Sequence, residues 1–179
     1  MKRRVVITGL GIVSPVGNDV ATAWDNIVNG RSGIGRITRF DPSALNSHIA
    51  GEVKDFDVTR YIPAKEARQM DTFIHYGVAA GVQAWEDSGL EITEANAERV
   101  GVIIGSGIGG LPRIEETQTE MIQRGPRRIS PFFVPASLIN LISGQLTIRY
   151  GMKGPSYAVV SACTTGLHSI GDAARLIEY

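Results

Sequence analysis

The sequence predicts an α/β domain in which helices cover a mainly parallel sheet. Short β-branched segments alternate along the chain with segments of helical period, as in proteins with parallel sheets. The segment 100–104 is apolar throughout, which is typical of a strand buried on both faces. With 179 residues, 43% of them hydrophobic and 20% charged, the chain is long enough and apolar enough for one buried core.

The first predicted elements are a strand and a helix. Residues 4–8 include four consecutive β-branched residues before Gly9, which predicts a strand that ends in a turn. An Asn-Asp pair follows that can cap a helix running to about Asn29. We expect Ala23 and Ile27 to lie on the inward face of this helix.

A long irregular segment precedes the longest predicted helix. Residues 31–66 are rich in glycine and proline, with one short strand predicted at 49–53. From 69 to 88 apolar residues recur at helical spacing, and Gly89 ends the pattern. Because small residues lie almost all round the helix at 69–88, we expect it to be buried on more than one side.

The second half of the chain continues the alternation. After the strand at 100–104, helices are predicted at 111–123 and 136–150. A short buried strand is predicted at 157–160, and a last helix from Thr165 onward. One face of that last helix carries four apolar residues at helical spacing: Leu167, Ile170, Ala174 and Ile177.

Cys163 is the only cysteine, and it lies between the predicted strand 157–160 and the last helix. Unpaired N–H groups and the helix dipole favour a thiolate at a helix N-terminus, by about 0.3–1 kcal/mol. This activation is only partial, so a nucleophilic thiol here would also need a basic partner. The alternative is a buried small hydrophobic residue, which on spacing alone is the more frequent role of a lone cysteine.

The residues around Cys163 also carry a family resemblance. The segments 154–156 (Gly-Pro-Ser) and 161–168 (Ser-Ala-Cys-Thr-Thr-Gly-Leu-His) resemble the nucleophile segment of β-ketoacyl-acyl-carrier-protein synthases. Three further segments, 5–17, 104–111 and 129–135, match the family in the same order and spacing. The chain is most similar to the elongating type II enzymes of bacterial fatty-acid synthesis. The resemblance implies a thiolase-like layered fold, α-β-α-β-α in the full enzyme.

The resemblance implies an acyltransferase that works without a cofactor. Cys163 would accept an acyl group, and a decarboxylative Claisen condensation with malonyl-acyl-carrier-protein would follow. In the family, two histidines, a lysine and a second oxyanion amide lie in a C-terminal half. Residues 1–179 are therefore expected to be the N-terminal, nucleophile-bearing domain, inactive alone. The implied partners are acyl carrier protein and a second copy of the full-length enzyme, in the cytoplasm.

The resemblance also assigns two further groups of residues. It implies an acyl pocket lined by Gly107, Ile108, Phe133 and Ala162, with Phe133 reaching across the dimer interface. It implies docking of the carrier protein at two basic clusters: Lys65, Arg68, Arg124, Arg127 and Arg128. Gln69 stands where family members often carry a basic residue, which weakens the first cluster. Ordinary packing and solvated surface are the alternatives for these residues.

The glycine loop favours a competing function. Gly105, Gly107 and Gly110 satisfy G-x-G-x-x-G between a predicted strand and a predicted helix, as in NAD(P)-dependent oxidoreductases. The acidic residue expected about 20 residues later is absent, which disfavours this alternative. A catalytically silent subunit of the synthase fold is the second alternative, and Cys163 at the nucleophile position disfavours it.

Composition excludes several other classes. Lys plus Arg equals Asp plus Glu at 18 each, so no net charge attracts nucleic acid. No apolar run reaches the roughly 18 residues of a membrane span. One cysteine and three scattered histidines provide no metal-ligand spacing. His168 follows Cys163 by five residues, about 140° around a helix, so we assign it no role as a base.

Overall fold

The structure, a computed structural model, describes residues 3–179. The helices of this part of the chain are α1 (Val20–Val28), α2 (Ala64–Ala67), α3 (Thr72–Ser88), α4 (Leu111–Arg124), α5 (Phe133–Ser137), α6 (Leu141–Tyr150) and α7 (Thr165–Glu178). The strands are β1 (Ile34–Arg36), β2 (Ile49–Gly51), β3 (Val102–Ile103) and β4 (Ser156–Tyr157). None of these helices is long and apolar enough to cross a membrane.

The strands form two small sheets. β1 and β2 pair antiparallel within the irregular segment, where the short strand at 49–53 was predicted. β3 and β4 pair in parallel, with Val102 opposite Ser156. The parallel sheet is therefore present, but among the described residues it has two strands and not the larger number that the sequence predicted.

The opening segment is not a strand, contrary to the prediction for residues 4–8. The residues that follow it hydrogen-bond to side chains of α3: the Leu10 N–H donates to Asp87 at 2.8 Å and the Ile12 N–H to Gln83 at 3.2 Å. Ile7 remains 78% exposed. A strand requires a neighbouring strand to satisfy its amides, and no described strand pairs with residues 4–8.

α3 lies at the centre of the core, as its small residues predicted. Ile74 is fully buried, and Val78 and Val82 follow it on the same face. Gly77 and Gly81 lie directly beneath Ile142 and Leu146, so α3 and α6 approach closely. The helix ends at Gly89, whose left-handed φ of 63° a side chain rarely adopts.

α1 forms as predicted, but its inward face is narrower than expected. Asp19 caps the helix by accepting from the Thr22 N–H at 2.8 Å, which lowers the Asp19 pKa. Ala23 is buried, whereas Ile27 is exposed, contrary to the prediction. The backbone of Gly17 packs against Ala23 and leaves the Ile27 side uncovered within the described residues.

Two expectations for the second half are also corrected. The single helix predicted at 136–150 is two helices, because α5 ends at Ser137 and α6 begins at Leu141. The strand predicted at 157–160 ends at Tyr157, and Val160 is exposed. The helix α7 is confirmed, but its apolar face points outward, with Leu167 71% exposed. The side of α7 that is buried carries hydroxyl residues, Thr165 and Ser169.

Candidate active site

Cys163 occupies the corner that the sequence predicted. Its thiol is exposed, in a one-turn 3-10 helix (Ala162–Thr164) that leads directly into α7. The preceding residue, Ala162, has a φ of 52°, which costs a residue with a side chain about 1–2 kcal/mol. The left-handed backbone at Ala162 therefore directly precedes the exposed cysteine at the start of a helix. Exposure excludes the alternative of a buried small hydrophobic residue in this structure.

Hydroxyl groups hold the corner in this shape. The Ser161 N–H donates to Thr165 Oγ1 at 2.9 Å, and the Thr164 N–H donates to the Ser161 carbonyl at 3.1 Å. Thr165 is buried, so the first of these bonds is shielded from water. His168 lies on α7 one turn after Thr165, and its Nδ1 is 2.6 Å from Ser161 Oγ. Ser161, two residues before Cys163, is thereby bound to α7 at Thr165 and His168.

The glycine loop 105–110 packs against this corner. A Cβ at Gly105 would overlap the Val159 carbonyl oxygen and the Thr165 side chain. Gly107 faces Ala162, whose carbonyl oxygen would lie 3.6 Å from such a Cβ. The other end of the loop packs against Ser137 at the end of α5. Contacts with protein thus account for Gly105 and Gly110, whereas a side chain at Gly107 would meet only ordinary contacts. Two of the three motif glycines therefore have a packing reason, which weakens the support for a dinucleotide site.

The residues predicted to line an acyl pocket are only partly brought together. Gly107 and Ala162 lie against each other beside Cys163. Ile108 is exposed on the same loop. Phe133 begins α5 and is half-buried, and the far end of α5 contacts the loop. Three of the four residues thus lie on or against the glycine loop, and Phe133 is linked to it only through α5. Their role in binding acyl groups stays a prediction.

Both predicted basic clusters are exposed on the surface. Lys65 lies in α2, and Arg68 follows it, with its Nε donating to the Ala64 carbonyl at 3.3 Å. The second cluster lies at the end of α4 and in the turn after it: Arg124, Arg127 and Arg128. Within it, the Arg124 guanidinium is 3.7 Å from Glu120. Exposure is what docking requires, and the docking role stays a prediction.

Two buried polar residues near the site were not singled out from the sequence. Asp71, 6% exposed, accepts from the Phe73 N–H at 3.3 Å and from the Arg113 N–H at 3.0 Å. It thus caps α3 and also the first turn of α4, the helix after the glycine loop. An aspartate directly before a helix is a capping signal, so its role at α3 could have been found in the sequence. No sequence pattern indicates its contact with the Arg113 N–H. Ser143 on α6 is fully buried and contacts Ile104, directly after β3, and Tyr157 in β4.

Within residues 3–179, no three His, Cys, Asp or Glu side chains are grouped as metal ligands. Each of the three histidines has a local partner: His48 Nε2 lies 2.9 Å from the Leu45 carbonyl and His75 Nε2 2.8 Å from the Ala67 carbonyl. The third, His168, contacts Ser161. The geometry of this chain therefore presents an exposed thiol, without a histidine directed to it by a hydrogen bond.

Comparisons with known proteins give the chain a family. A family model described as beta-ketoacyl synthase, N-terminal domain, matches residues 2–179. The 3-oxoacyl-[acyl-carrier-protein] synthase 2 of Vibrio harveyi is 56% identical over 178 residues, and that of Coxiella burnetii is 54% identical. In both comparisons the match covers 99% of this chain and 43% of the relative, so the chain spans less than half the relatives' length.

Solved structures agree with this assignment. A beta-ketoacyl synthase from Burkholderia phymatum STM815 superposes with a TM-score of 0.82 at 26% identity, covering 99% of this chain and 44% of that one. A type II PKS ketosynthase in complex with its acyl-carrier protein gives a TM-score of 0.83 at 28% identity, covering 99% and 48%. The predicted thiolase-like α/β fold class is confirmed. The chain therefore belongs to the β-ketoacyl synthase N-terminal domain family.

Proposed function

We propose that this chain is the nucleophile-bearing N-terminal half of a β-ketoacyl-acyl-carrier-protein synthase that elongates fatty acids. The observation that carries the proposal is the exposed Cys163 thiol at a strained corner, against a glycine loop, in a chain 56% identical to a 3-oxoacyl-[acyl-carrier-protein] synthase. The remaining catalytic groups would come from a C-terminal half. This half alone would be inactive in condensation.

The first step is acyl transfer to Cys163. The thiolate attacks the carbonyl carbon of an acyl thioester on the carrier protein. The bond from that carbon to Cys163 Sγ forms, and its bond to the carrier sulfur breaks. The carrier leaves as a thiolate and takes up a proton. The Cys163 N–H, at the start of α7, would stabilise the negative charge that develops on the carbonyl oxygen.

The second step is decarboxylative condensation. Malonyl-carrier loses CO₂, and the electron pair of the broken C–C bond becomes an enolate on the carrier-bound acetyl group. The enolate carbon attacks the acyl carbonyl on Cys163, so that a C–C bond forms and the C–S bond breaks. The products are β-ketoacyl-carrier and the Cys163 thiolate. Because the chain's three histidines are bound to local partners, the groups that assist decarboxylation are proposed to lie outside this half.

Binding of the partners is assigned to the predicted surfaces. The carrier is small and acidic in the family, and the exposed side chains of Lys65, Arg68, Arg124, Arg127 and Arg128 would attract and orient it. The acyl chain would pass beside Gly107, Ile108, Phe133 and Ala162. The full enzyme is proposed to act as a homodimer in the cytoplasm, without a cofactor.

The proposal is tested by intact-mass measurement on the complete enzyme. Incubation with acyl-carrier protein should add the mass of one acyl group, and digestion should locate it on the peptide containing Cys163. The Cys163→Ala variant should remain unmodified under the same conditions. An unmodified wild-type enzyme, or an adduct that persists in Cys163→Ala, would refute the assignment. Titration with NAD(P)H tests the oxidoreductase alternative, and tight binding would support that alternative instead.

A further inference from the structure

We infer that Ser143 is a positioning residue: its buried hydroxyl sets the spacing between the glycine loop 105–110 and the Cys163 corner. The kinetic consequence of this inference rests on the proposed function, whereas its geometric consequence does not. Ser143 lies on α6 between the core residues Ile142 and Leu146, and it is 0% exposed. A polar group so deeply buried needs partners that replace water.

The partners of Ser143 are backbone groups of Ile104, directly after β3, and of Tyr157, the last residue of β4. Its Oγ accepts from the Ile104 N–H at 3.1 Å and lies 3.1 Å from the Tyr157 carbonyl, to which it can donate. The Ile104 carbonyl, at 3.3 Å, is the other possible acceptor for the single hydroxyl proton. One side chain thus bonds to the ends of β3 and β4 at once.

The hydroxyl stands where the parallel ladder would otherwise continue. The Val102 N–H donates to the Pro155 carbonyl at 2.8 Å. Two residues further along both strands, a regular ladder would join the Ile104 N–H to the Tyr157 carbonyl. Ser143 Oγ lies 3.1 Å from both of these groups, within hydrogen-bond distance of each, and so occupies the place of that direct bond. The Ser143 hydroxyl between them therefore keeps the ends of the two strands farther apart than a direct backbone hydrogen bond would.

The two segments held apart in this way lead straight to the candidate site. Ile104 is followed by Gly105, and the chain after Tyr157 turns through Val159 to the cysteine corner. Gly105 then packs on the Val159 carbonyl, with no room for a side chain. Because this contact is so close, a change in strand spacing must shift the loop on the corner. Ser143 therefore acts on Cys163 through the backbone, without contact with the substrate.

The test compares two serine-to-alanine changes in the complete enzyme. Ser143→Ala removes the inserted hydroxyl. Ser169→Ala is the matched control, since Ser169 is also buried but its hydroxyl donates only to its own helix, at the Thr165 carbonyl, 3.0 Å away. Ser143→Cys restores a group of similar size with a weak S–H donor, and serves as the conservative rescue.

Three measurements separate positioning from a general loss of stability. We expect Ser143→Ala to speed hydrogen exchange of the Ile104 amide and to slow alkylation of Cys163 by iodoacetamide. Acylation of Cys163 should slow about tenfold or more, with little change in KM for acyl-carrier protein, because misplacement affects the reacting geometry. Ser143→Cys should recover part of this rate, and Ser169→Ala should remain near wild type in all three measurements.

Equal effects of Ser143→Ala and Ser169→Ala on alkylation and on Ile104 exchange would overturn the inference. So would a Ser143→Ala variant that alkylates and acylates at the wild-type rate. If the wild-type enzyme fails to acylate Cys163, the proposed function fails instead, while alkylation and exchange still decide the role of Ser143. The two failures are therefore distinguishable.

Discussion

Replacement of Asp71 by alanine should destabilise the protein more than the loss of an ordinary helix cap. The Asp71 carboxylate serves two helices, accepting from the Phe73 N–H and from the Arg113 N–H, and it is buried. Loss of one cap costs about 1 kcal/mol. A buried amide left without an acceptor costs about 1–3 kcal/mol. The Phe73 contact is long at 3.3 Å, so its loss should cost no more than the usual value of about 1 kcal/mol for a cap. Together with the Arg113 amide left without an acceptor, the total loss should be about 2–4 kcal/mol.

The assay is equilibrium unfolding in urea, with the slope of the transition checked for constancy so that the midpoint reports stability. Asp19→Ala is the matched control, because Asp19 is exposed and caps α1 alone, for an expected loss of about 1 kcal/mol. The loss of stability in Asp71→Asn should lie between those of Asp71→Ala and Asp19→Ala. The asparagine has one side-chain oxygen, which cannot accept from both amides as the two carboxylate oxygens do. If Asp71→Ala costs no more than Asp19→Ala, the contact of Asp71 with α4 adds nothing to stability and the reasoning is refuted.

Three further predictions concern pH, packing and docking. The Asp19 pKa is lowered chiefly by the backbone hydrogen bond from α1, so its capping contributes above the unfolded pKa and is lost as pH falls through the folded value. The difference in urea midpoint between wild type and Asp19→Ala should therefore vanish in acid, and a constant difference would contradict this. Gly105→Ala should lower Cys163 alkylation and cost about 1–3 kcal/mol on urea unfolding, whereas Gly171→Ala, in open space on α7, should be neutral or stabilising. Charge reversal at Lys65 and Arg68 should raise KM for carrier-borne substrate far more than for a small thioester, and equal changes would exclude docking there.

The helices were the most predictable part of the fold because their signals lie within a few residues. Asp19 caps α1 and Gly89 ends α3, as their sequence positions indicated. The corner at Cys163 was predictable for the same reason, since a short apolar segment changes to helical period within a few residues. The sequence predicted one helix at 136–150, where the structure has the end of α5 and the whole of α6. The break between these two helices was not predicted.

The candidate site was predictable only in its centre. The sequence indicated Cys163 and the glycine loop as separate features, and the structure packs Gly105 and Gly107 against the corner. The contacts of Asp71 with α4 and of Ser143 with the ends of both parallel strands carried no signal. Asp71 and Arg113 are 42 residues apart, and Ser143 and Ile104 are 39 apart, so neither contact belongs to a local pattern.

By itself, the sequence determined the fold class, the family, the helices and the place of the thiol between strand and helix. The tertiary structure decided which segments pair and which faces are buried. The segment 4–8 has the composition of a strand, yet α3 satisfies the amides that follow it, and α7 buries its hydroxyl side while Leu167 is exposed. Helix formation depends on neighbouring residues along the chain. Strand pairing and burial depend on which distant segment is adjacent, and only the folded chain determines that.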